Sequence, residues 1–323
     1  MPTVVPAVVP PVVLTIAGFD PSSGAGVTAD IKTIAAHECF GIACITALTV
    51  QSTQGVRRVE PVDPKVIGET LAELASDFEI GAVHIGMLGN EAATRAVAEF
   101  VGKNAFPNVV LDPILKSSSG ADLLDPAGVR VMIERLFPLA ELIAPNLEEA
   151  LALTEAVPRL APEKREREPG PPSTSAAEAV ELMKEVSRHL HALGARNVVV
   201  TGGDLRPRAP KPGVSGAADK AIDLLSFTTA RGIEQEVFKA ERQRSSSTHG
   251  TGCAFSTALA CHLAQGRGLP EAVLLSKAYV SAAISNSYPV GRGKGPLHHL
   301  YRMQQQRRPT KIISEAEPAH SRN

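Results

Sequence analysis

Short apolar runs alternate with Ala-rich helical stretches along most of this chain. The apolar runs are rich in Val and Ile and end at glycine or proline, which predicts buried strands. Continuous apolar strands separated by helices are typical of a mainly parallel sheet with helices on both faces. The predicted strands are VVLTIAG (12–18), IACITALTV (42–50), AVHIGML, NVVLDPIL, ELIAPN and NVVVTGG (197–203), and the predicted helices lie at about 26–37, 64–77, 91–103 and after Gly252.

Two stretches interrupt this alternation. Residues 157–175 and 206–221 are rich in Pro, Gly and charge and poor in apolar side chains. Such segments cannot bury a core of their own, so we interpret them as exposed insertions in one domain that spans 12–303. Residues 1–11 and 304–323 are predicted to be flexible termini. The first of these carries four prolines and no positive cluster, which disfavours a signal peptide or a membrane span.

Composition and charge exclude several classes of partner. The 323 residues carry a formal net charge of -1, and aromatic residues make up 4% with no Trp. We therefore expect no nucleic-acid partner and no membrane partner, because there is neither a basic surface nor a set of stacking platforms. The four cysteines show no C-x-x-C spacing, which favours a reducing, cytoplasmic setting and disfavours zinc.

A glycine-rich turn follows the first predicted strand, in AGFDPSSGAGVTADIKT (17–33). Small residues there would let a ligand approach the backbone at the carboxyl edge of the sheet, where open α/β sheets bind ligands. The stretch is not a Walker A loop, because Ala25 stands where the lysine would be. A tight turn that merely requires glycine is an equally good interpretation of these residues alone.

The most informative stretch is STHGTGCAFSTALA (247–260), in which Gly250, Thr251, Gly252 and Cys253 precede an apolar helix. The first N–H groups of a helix have no internal partners and carry the positive end of its dipole, so bare glycine backbone there can receive phosphate oxygens. We also expect a lowered pKa for a thiol at this position, which would give a thiolate able to accept a proton. The alternative is a glycine N-cap followed by a structural cysteine.

Together these two stretches resemble the hydroxymethylpyrimidine and phosphomethylpyrimidine kinases of thiamine biosynthesis, in the ribokinase superfamily. The resemblance continues, in the same order, through ITALTVQSTQGV, HIGMLG, VVLDPIL, LIAPNLEEA, VVVTGGD and GKGPLHH, over roughly residues 12–300. It implies a three-layer α/β/α ribokinase-like fold with a mainly parallel central sheet. It also implies ATP-dependent phosphorylation of 4-amino-5-hydroxymethyl-2-methylpyrimidine and then of its monophosphate.

The resemblance assigns residues to the pyrimidine. It implies that the ring lies against an apolar slot, with polar contacts from an amide and a carboxylate. A flat heterocycle suits such a slot, since an amide offers both a donor and an acceptor. For the apolar members, plain core packing is the alternative. The implied substrate residues are Ala25, Val50, Met87 and Ile114, with Gln51 and Asp30 as the polar contacts.

It also assigns residues to the phosphates and the metal. The 250–253 turn would be the anion hole, with Cys253 accepting the hydroxyl proton of the substrate. Mg²⁺, partly through water, would be held near Glu149 and Asp112, a set of hard oxygen ligands that suits this ion. The implied ATP-binding residues are Asn146, Thr201, Gly203, Thr248, Gly250 and Gly252.

Some positions depart from the pattern or leave it open. Thr201 stands where the family often has lysine, which removes a cation beside the triphosphate, and Ser23 replaces a frequent glycine. The phosphate of the second substrate could be bound by Lys116, His249 or Lys294, and the sequence does not distinguish among these three.

Alternative functions are a pyridoxal kinase of the same superfamily and a non-catalytic ligand-binding relative. The family commonly forms homodimers, and the resemblance implies a homodimer here.

Overall fold

A central sheet of nine strands organises the computed structural model, which describes residues 9–117, 119–156, 176–203, 220–243 and 245–305. The strand order is β3-β2-β1-β4-β5-β6-β7-β8-β9. The six strands from β2 to β7 in that order are mutually parallel, and β3, β8 and β9 run antiparallel to their neighbours. The strands are β1 Val12–Phe19, β2 Phe40–Ser52, β3 Gly55–Pro61, β4 Ile80–Ile85, β5 Val109–Leu111, β6 Leu142–Ile143, β7 Val198–Thr201, β8 Lys220–Thr229 and β9 Gly232–Glu241.

Helices cover both faces of this sheet. Helices α2 to α6 pack on one face, and α1, α7 and α8 pack on the other. The predicted three-layer α/β/α fold with a mainly parallel sheet is therefore confirmed. The helices are α1 Gly26–Ala36, α2 Pro64–Asp77, α3 Glu91–Asn104, α4 Pro126–Val131, α5 Leu147–Glu155, α6 Ala176–Ala192, α7 Thr251–Ala264, α8 Leu269–Ser285 and α9 Tyr301–Gln305.

The apolar strands are continuous because both of their faces are buried. In β1, Leu14 and Ile16 lie in the core beneath α2 to α6, while Val13 lies in the core beneath α1, α7 and α8. Strand side chains alternate between faces, so a strand covered on both sides must be apolar at every position.

The antiparallel strands at the two edges were not predicted. Strand β9 exposes most of its residues, and Phe238 is its one fully buried position. An edge strand with one solvated face and many charges carries little of the apolar pattern on which a sequence prediction depends.

The predicted insertions fall mostly outside the described residues. All of 157–175 and most of 206–221 lie there, but Lys220 and Ala221 are the first residues of β8, so the second insertion ends earlier than predicted. Residues 1–8 and 306–323 lie outside as well. In the part of the chain that the structure describes, no helix is both long enough and apolar enough to cross a bilayer.

The topology collects the chemistry-bearing residues at one edge. The parallel strands β1, β5, β6 and β7 all end at the same side of the sheet, and each is followed directly by a turn of that edge. Helix α7 packs against β1, β4 and β5, which places its first turn above these strand ends.

Candidate active site

The first turn of α7 presents bare backbone at the carboxyl edge. Gly250 is its N-cap, with φ of 81° and no side-chain hydrogen bond to the cap. A Cβ on Gly250 would overlap the carbonyl oxygen of Gly24, so the backbones of the two glycine-rich turns are in direct contact. Helix α1 begins nearby at Gly26, and its N-cap Ala25 also provides no side-chain cap. Two helix starts, each the positive end of a dipole, therefore converge.

Cys253 lies at this convergence, partly buried. The expectation of a lowered thiol pKa was wrong. Burial raises the pKa of Cys253 well above its usual value, and the carboxylates of Asp112, Asp30 and Glu149 raise it further. A hydrogen bond from the backbone of Gly26 lowers the pKa of the thiol, but this effect is smaller than the combined effect of burial and the carboxylates. The helix dipole alone was a poor guide because burial and three nearby carboxylates outweigh it at the sulfur.

Asp112 follows β5 and is 4% exposed. Its Oδ2 accepts a hydrogen bond of 3.0 Å from the hydroxyl of Ser256, which lies in α7. Burial raises the pKa of Asp112 to about 6, although His84 and Ser256 pull it the other way. An ideal Cβ on Gly252 would lie 3.9 Å from the same carboxylate oxygen, so Asp112 sits beside the first turn of α7.

Asp30, expected at the pyrimidine, lies behind the site instead. It is fully buried in α1, and its two oxygens accept hydrogen bonds from Thr15 (2.7 Å) and Thr257 (2.9 Å). Nδ1 of His84 lies 3.5 Å from Oδ2 of Asp30, and Nε2 of His84 lies 3.0 Å from the hydroxyl oxygen of Ser256. Burial lowers the pKa of His84, but Asp30 and Asp112 outweigh this effect and raise it. A buried imidazole thus balances the carboxylates beneath the first turn of α7.

A small apolar cluster lies at the same edge. Ala47, Met87 and Leu123 are buried, and Val59 and Ile114 pack against them. Gly18, at the end of β1, leaves room for the sulfur of Met87: an ideal Cβ there would lie 2.7 Å from Sδ. Met87 and Ile114 are therefore together, as expected.

Gln51 and Val50 do not face the same way. Successive side chains of a strand point to opposite faces. Val50 is 48% exposed, whereas Gln51 is partly buried and contacts Thr49 and His249. The side chain of Val50 therefore lies on the face of β2 away from Gln51.

The turn after β1 is organised by Asp20, which is 3% exposed. Its carboxylate accepts hydrogen bonds from the backbone and hydroxyl of Ser22 and from the backbone of Ala25. His249 contacts the same carboxylate at 2.8 Å. Burial raises the pKa of Asp20, but the hydrogen bonds from His249 and Ser22 outweigh it, so the net shift is downward.

Asn146 and Glu149 form a capping box at the start of α5. The side chain of Asn146 accepts from the backbone of Glu149, and the carboxylate of Glu149 accepts from the backbone of Asn146, both at 2.9 Å. The motif thus has a structural role of its own. The carboxylate is also close enough to Cys253 to raise its pKa.

The turn after β7 lies next to this cap. Thr201 pairs with Asn146, and its backbone donates to Pro145. The next residue, Gly202, donates its backbone N–H to Asp223 of β8 at 3.1 Å. Asp223 in turn forms a buried ion pair of 2.6 Å with Lys277 of α8. The exposed Gly203 accepts from Arg242.

The three basic residues considered for a second phosphate lie in different surroundings. Lys116 is exposed and 3.7 Å from Asp122. Lys294 is exposed, and its backbone donates to Thr53 at 2.9 Å. His249 is held by Asp20, while Thr248 precedes it, partly buried.

Sequence reasoning missed Asp20 and His84. Both carried a signal: Asp20 follows a buried strand directly, and His84 is a lone histidine within an apolar strand. An ionisable group inside such a run requires a partner, but the sequence does not say which one.

Comparisons with known proteins identify the family of the chain. Residues 20–169 and 172–298 match the family described as phosphomethylpyrimidine kinase. A hydroxymethylpyrimidine/phosphomethylpyrimidine kinase of Salmonella typhimurium is 38% identical over 290 residues, which cover 89% of this chain and 97% of that protein. A thiamine biosynthesis bifunctional protein of Geobacter sulfurreducens is 38% identical over 288 residues, 89% of this chain, and the match spans about half of its length, 52%.

Among solved structures, the ADP complex of Bacillus subtilis pyridoxal kinase superposes with a TM-score of 0.73 at 30% identity. The match covers 91% of this chain and 99% of that one. The fold, the clustered glycine turns and the extent of the sequence match agree, and the chain belongs to the phosphomethylpyrimidine kinase family.

Proposed function

We propose that this protein transfers the terminal phosphoryl group of ATP to 4-amino-5-hydroxymethyl-2-methylpyrimidine, and then a second one to the resulting monophosphate, in thiamine biosynthesis. Membership of the family makes the protein a phosphotransferase. The observation that carries the proposal is the uncapped first turn of α7, where the backbone of Gly250 contacts that of Gly24 beside Asp112 and Cys253.

The transferring phosphoryl group would lie at the convergent starts of α1 and α7. Phosphoryl transfer depends mainly on positioning and on stabilising charge that spreads over the equatorial oxygens. The amides of residues 250–253 supply donors without side chains in front of them, and they need no rearrangement during the reaction. Gly250, Thr251 and Gly252 thus act through their backbone, while Thr248, Thr201 and Gly203 are assigned to the nucleotide.

Mg²⁺ suits the oxygen donors beside this turn. Asp112 has a pKa raised to about 6 by burial, which indicates a carboxylate that a nearby cation would stabilise in its charged form. Glu149 adds a second carboxylate, and Asn146 orients it through the capping box. We assign the ion to Asp112 and Glu149, partly through water. When bound, it would neutralise phosphate charge.

Cys253 is assigned to the proton of the substrate hydroxyl. A thiol with a raised pKa is neutral near pH 7, so only a small fraction is thiolate, but that fraction is strongly basic. The role therefore requires that turnover rise with pH as the thiolate fraction grows.

The pyrimidine is assigned to the cluster of Met87 and Ile114, with Ala25 beside it and Gln51 as the polar contact. Met87 and Ile114 pack together, and Gln51 contacts His249 in the turn before α7. Asp30 supports the site from behind, and Val50 could contribute only its backbone on this face.

The test is an assay of the purified protein with ATP, Mg²⁺ and the hydroxymethylpyrimidine, with mono- and diphosphate products followed separately by chromatography. Formation of both products in sequence is expected. Absence of both under saturating conditions would refute the proposal, and formation of the monophosphate alone would restrict it to the first step.

A pyridoxal kinase is the second candidate, favoured by the similarity to the Bacillus subtilis enzyme. The ratio of kcat/KM for the two substrates decides between them, because enzyme specificity is a ratio of these values. We expect the aminopyrimidine to be preferred.

A further inference from the structure

Four side chains from three separate segments form one hydrogen-bonded chain beside the apolar cluster. Asp20 contacts Nε2 of His249 at 2.8 Å, and the same Nε2 lies 3.2 Å from the Gln51 amide. The other end of that amide lies 3.1 Å from Oγ1 of Thr49. As placed, Gln51 directs its nitrogen to His249 and its oxygen to Thr49. Amide oxygen and nitrogen have nearly the same shape, so their partners decide which is which.

Asp20 determines which atom of the Gln51 amide faces His249. The pKa of Asp20 is lowered overall, because the hydrogen bonds from His249 and Ser22 outweigh the effect of burial. The carboxylate is therefore ionised near neutral pH and can only accept hydrogen bonds. Nε2 of His249 must then carry a proton, and it has no lone pair left to receive an amide N–H. Its single proton is directed at Asp20, and a carbonyl oxygen of Gln51 at 3.2 Å can share that proton as a second acceptor. An amide N–H at the same place would face another donor, so the carbonyl oxygen of Gln51 is the atom toward Nε2.

The hydrogen bonds of Thr49 independently indicate the same orientation of the Gln51 amide. The Thr49 hydroxyl lies 2.9 Å from the carbonyl oxygen of Phe19, which can only accept. The single hydroxyl proton goes to Phe19, so Oγ1 can only accept from Gln51. The atom of Gln51 that faces Thr49 must be the amide nitrogen.

His249 is itself held in place. Its backbone N–H donates to Gly295 at 3.1 Å. A Cβ on Gly24 would overlap its ring, so the ring packs directly on glycine backbone. The donor that faces Gln51 is thus fixed by packing as well as by Asp20.

We propose that Asp20 and His249 are positioning residues that fix the amide of Gln51 with its oxygen toward His249 and its nitrogen toward Thr49, and thereby select an amino-substituted nitrogen heterocycle. This inference rests on the proposed function. One lone pair on the amide oxygen and one proton on the amide nitrogen remain for a ligand. An exocyclic amine next to a ring nitrogen offers the matching donor and acceptor. A 4-oxo ring with N–H beside it offers the reverse pattern, and accepting it would require the amide to turn against both neighbours.

The test compares kcat/KM for 4-amino-5-hydroxymethyl-2-methylpyrimidine with kcat/KM for its 4-oxo analogue. We expect the wild-type protein to prefer the amine by about 10²-fold or more, since mispaired buried polar groups discriminate strongly. Thr49→Val should reduce this preference about tenfold, whereas Thr49→Ser keeps the hydroxyl and should retain it. His249→Leu should reduce it similarly, and His249→Gln, which keeps a donor, should restore part of it. Equal preference in Thr49→Val and Thr49→Ser would overturn the proposal.

A second measurement separates this inference from the proposed function. In the ligand-free protein, ¹⁵N NMR of labelled histidine should find a proton on Nε2 of His249, with assignment by the His249→Gln variant. An unprotonated Nε2 at neutral pH overturns the inference whether or not the enzyme is active. A protonated Nε2 in a protein that phosphorylates neither pyrimidine leaves the positioning pair standing and refutes the proposed function.

Discussion

Helices α1 and α7 lie side by side, and their two ends have opposite chemistry. At the amino-terminal end, the helices bury Asp30, Ser256 and Thr257 in a hydrogen-bonded network. At the carboxyl-terminal end, they bury His37 and Cys261. There the ring of His37 packs edge-on against His262 and Tyr279, at centroid distances of 4.9 and 4.5 Å.

The difference is clearest in two buried histidines. His84 has a raised pKa because Asp30 and Asp112 outweigh its burial. Burial lowers the pKa of His37 to about 4, and the hydrogen bond to the carbonyl of Thr33 offsets this only in part. The same side chain at similar depth thus favours opposite charge states, and the neighbouring carboxylates decide. Buried carboxylates thus lie where phosphates are expected, whereas the charge near His37 belongs to the exposed Arg302, which lies over the ring of Tyr279.

The largest difference should appear between two alanine substitutions of glycine, one at each end of α7. Gly250 and Gly266 have nearly the same φ, 81° and 80°, but a Cβ overlaps Gly24 only at Gly250. Gly250→Ala should lower kcat by about 10²–10³-fold, because the anion-binding turn must move. Gly266→Ala should cost only about 1–2 kcal/mol of stability, with kcat retained. Steady-state kinetics and urea unfolding check both, and equal kcat values would show that the 250–253 turn is not the anion hole.

Two cysteines of α7 sharpen the comparison further. Cys253→Ala should lower kcat by about 10²-fold, the usual contribution of general base catalysis. Because the pKa of the Cys253 thiol is raised by burial and nearby carboxylates, the thiolate fraction grows with pH up to that pKa. The kcat of the wild type should therefore rise between pH 7 and 9, and this rise should vanish in the variant.

Cys261→Ala, at the far end of α7, is the control and should alter stability while the pH profile stays as in the wild type. If Cys253→Ala turns over at a near-normal rate, the thiol has no part in proton transfer and the backbone amides act alone.

A smaller effect is expected at the start of α5. Glu149→Gln keeps the capping box, since glutamine serves at this position too, but it removes the charge. The Mg²⁺ concentration for half-maximal activity should rise about tenfold, as for the loss of one carboxylate ligand. Glu148→Gln removes an exposed charge from the same turn and is the matched control. Identical Mg²⁺ titrations of the two variants would leave Glu149 as a cap alone.

The smallest effect concerns stability at the far end. The pKa of His37 is about 4 in the folded protein, against about 6.5 when unfolded. The unfolded chain therefore binds the proton first, and stability is lost as pH falls from about 6.5 toward 4. In the wild type, His37 should make the free energy of unfolding about 1–2 kcal/mol lower at pH 5 than at pH 7.5. In His37→Gln this part of the difference between the two pH values should disappear. Urea unfolding at both pH values measures it, and an unchanged difference would mean that His37 is protonated when folded.

The sequence predicted the parallel core well because each strand is buried on both faces. Helix α2 was predicted with its observed bounds, Pro64–Asp77, since Asp63 caps it and Pro64 fits its first turn. The run NVVLDPIL forms a shorter strand, Val109–Leu111, because Asp112 and Pro113 leave the sheet at the edge. Strand β9 was missed because most of its residues are exposed and it has little apolar periodicity. Strand β8 was missed although its middle is buried, because Asp223 and Ser226 interrupt its apolar run.

The candidate site was predicted in composition but not in its contacts. The glycines around Gly250 and the pairing of Met87 with Ile114 follow from motif and fold. The contact of Asp20 with His249 joins residues 229 positions apart, and no local pattern encodes it. The raised pKa of Cys253 depends on burial and on three carboxylates from separate elements, so the local expectation from the helix start alone was wrong.

The ion pair of Asp223 and Lys277 has an evolutionary consequence. Gly202 is anchored from β8 and α8, on the far side of the segment that joins Gly203 to Lys220. The position of the turn therefore does not depend on how long that segment is. Natural variation could lengthen or shorten the joining residues, or recruit them for another purpose, while the bend after β7 keeps its place.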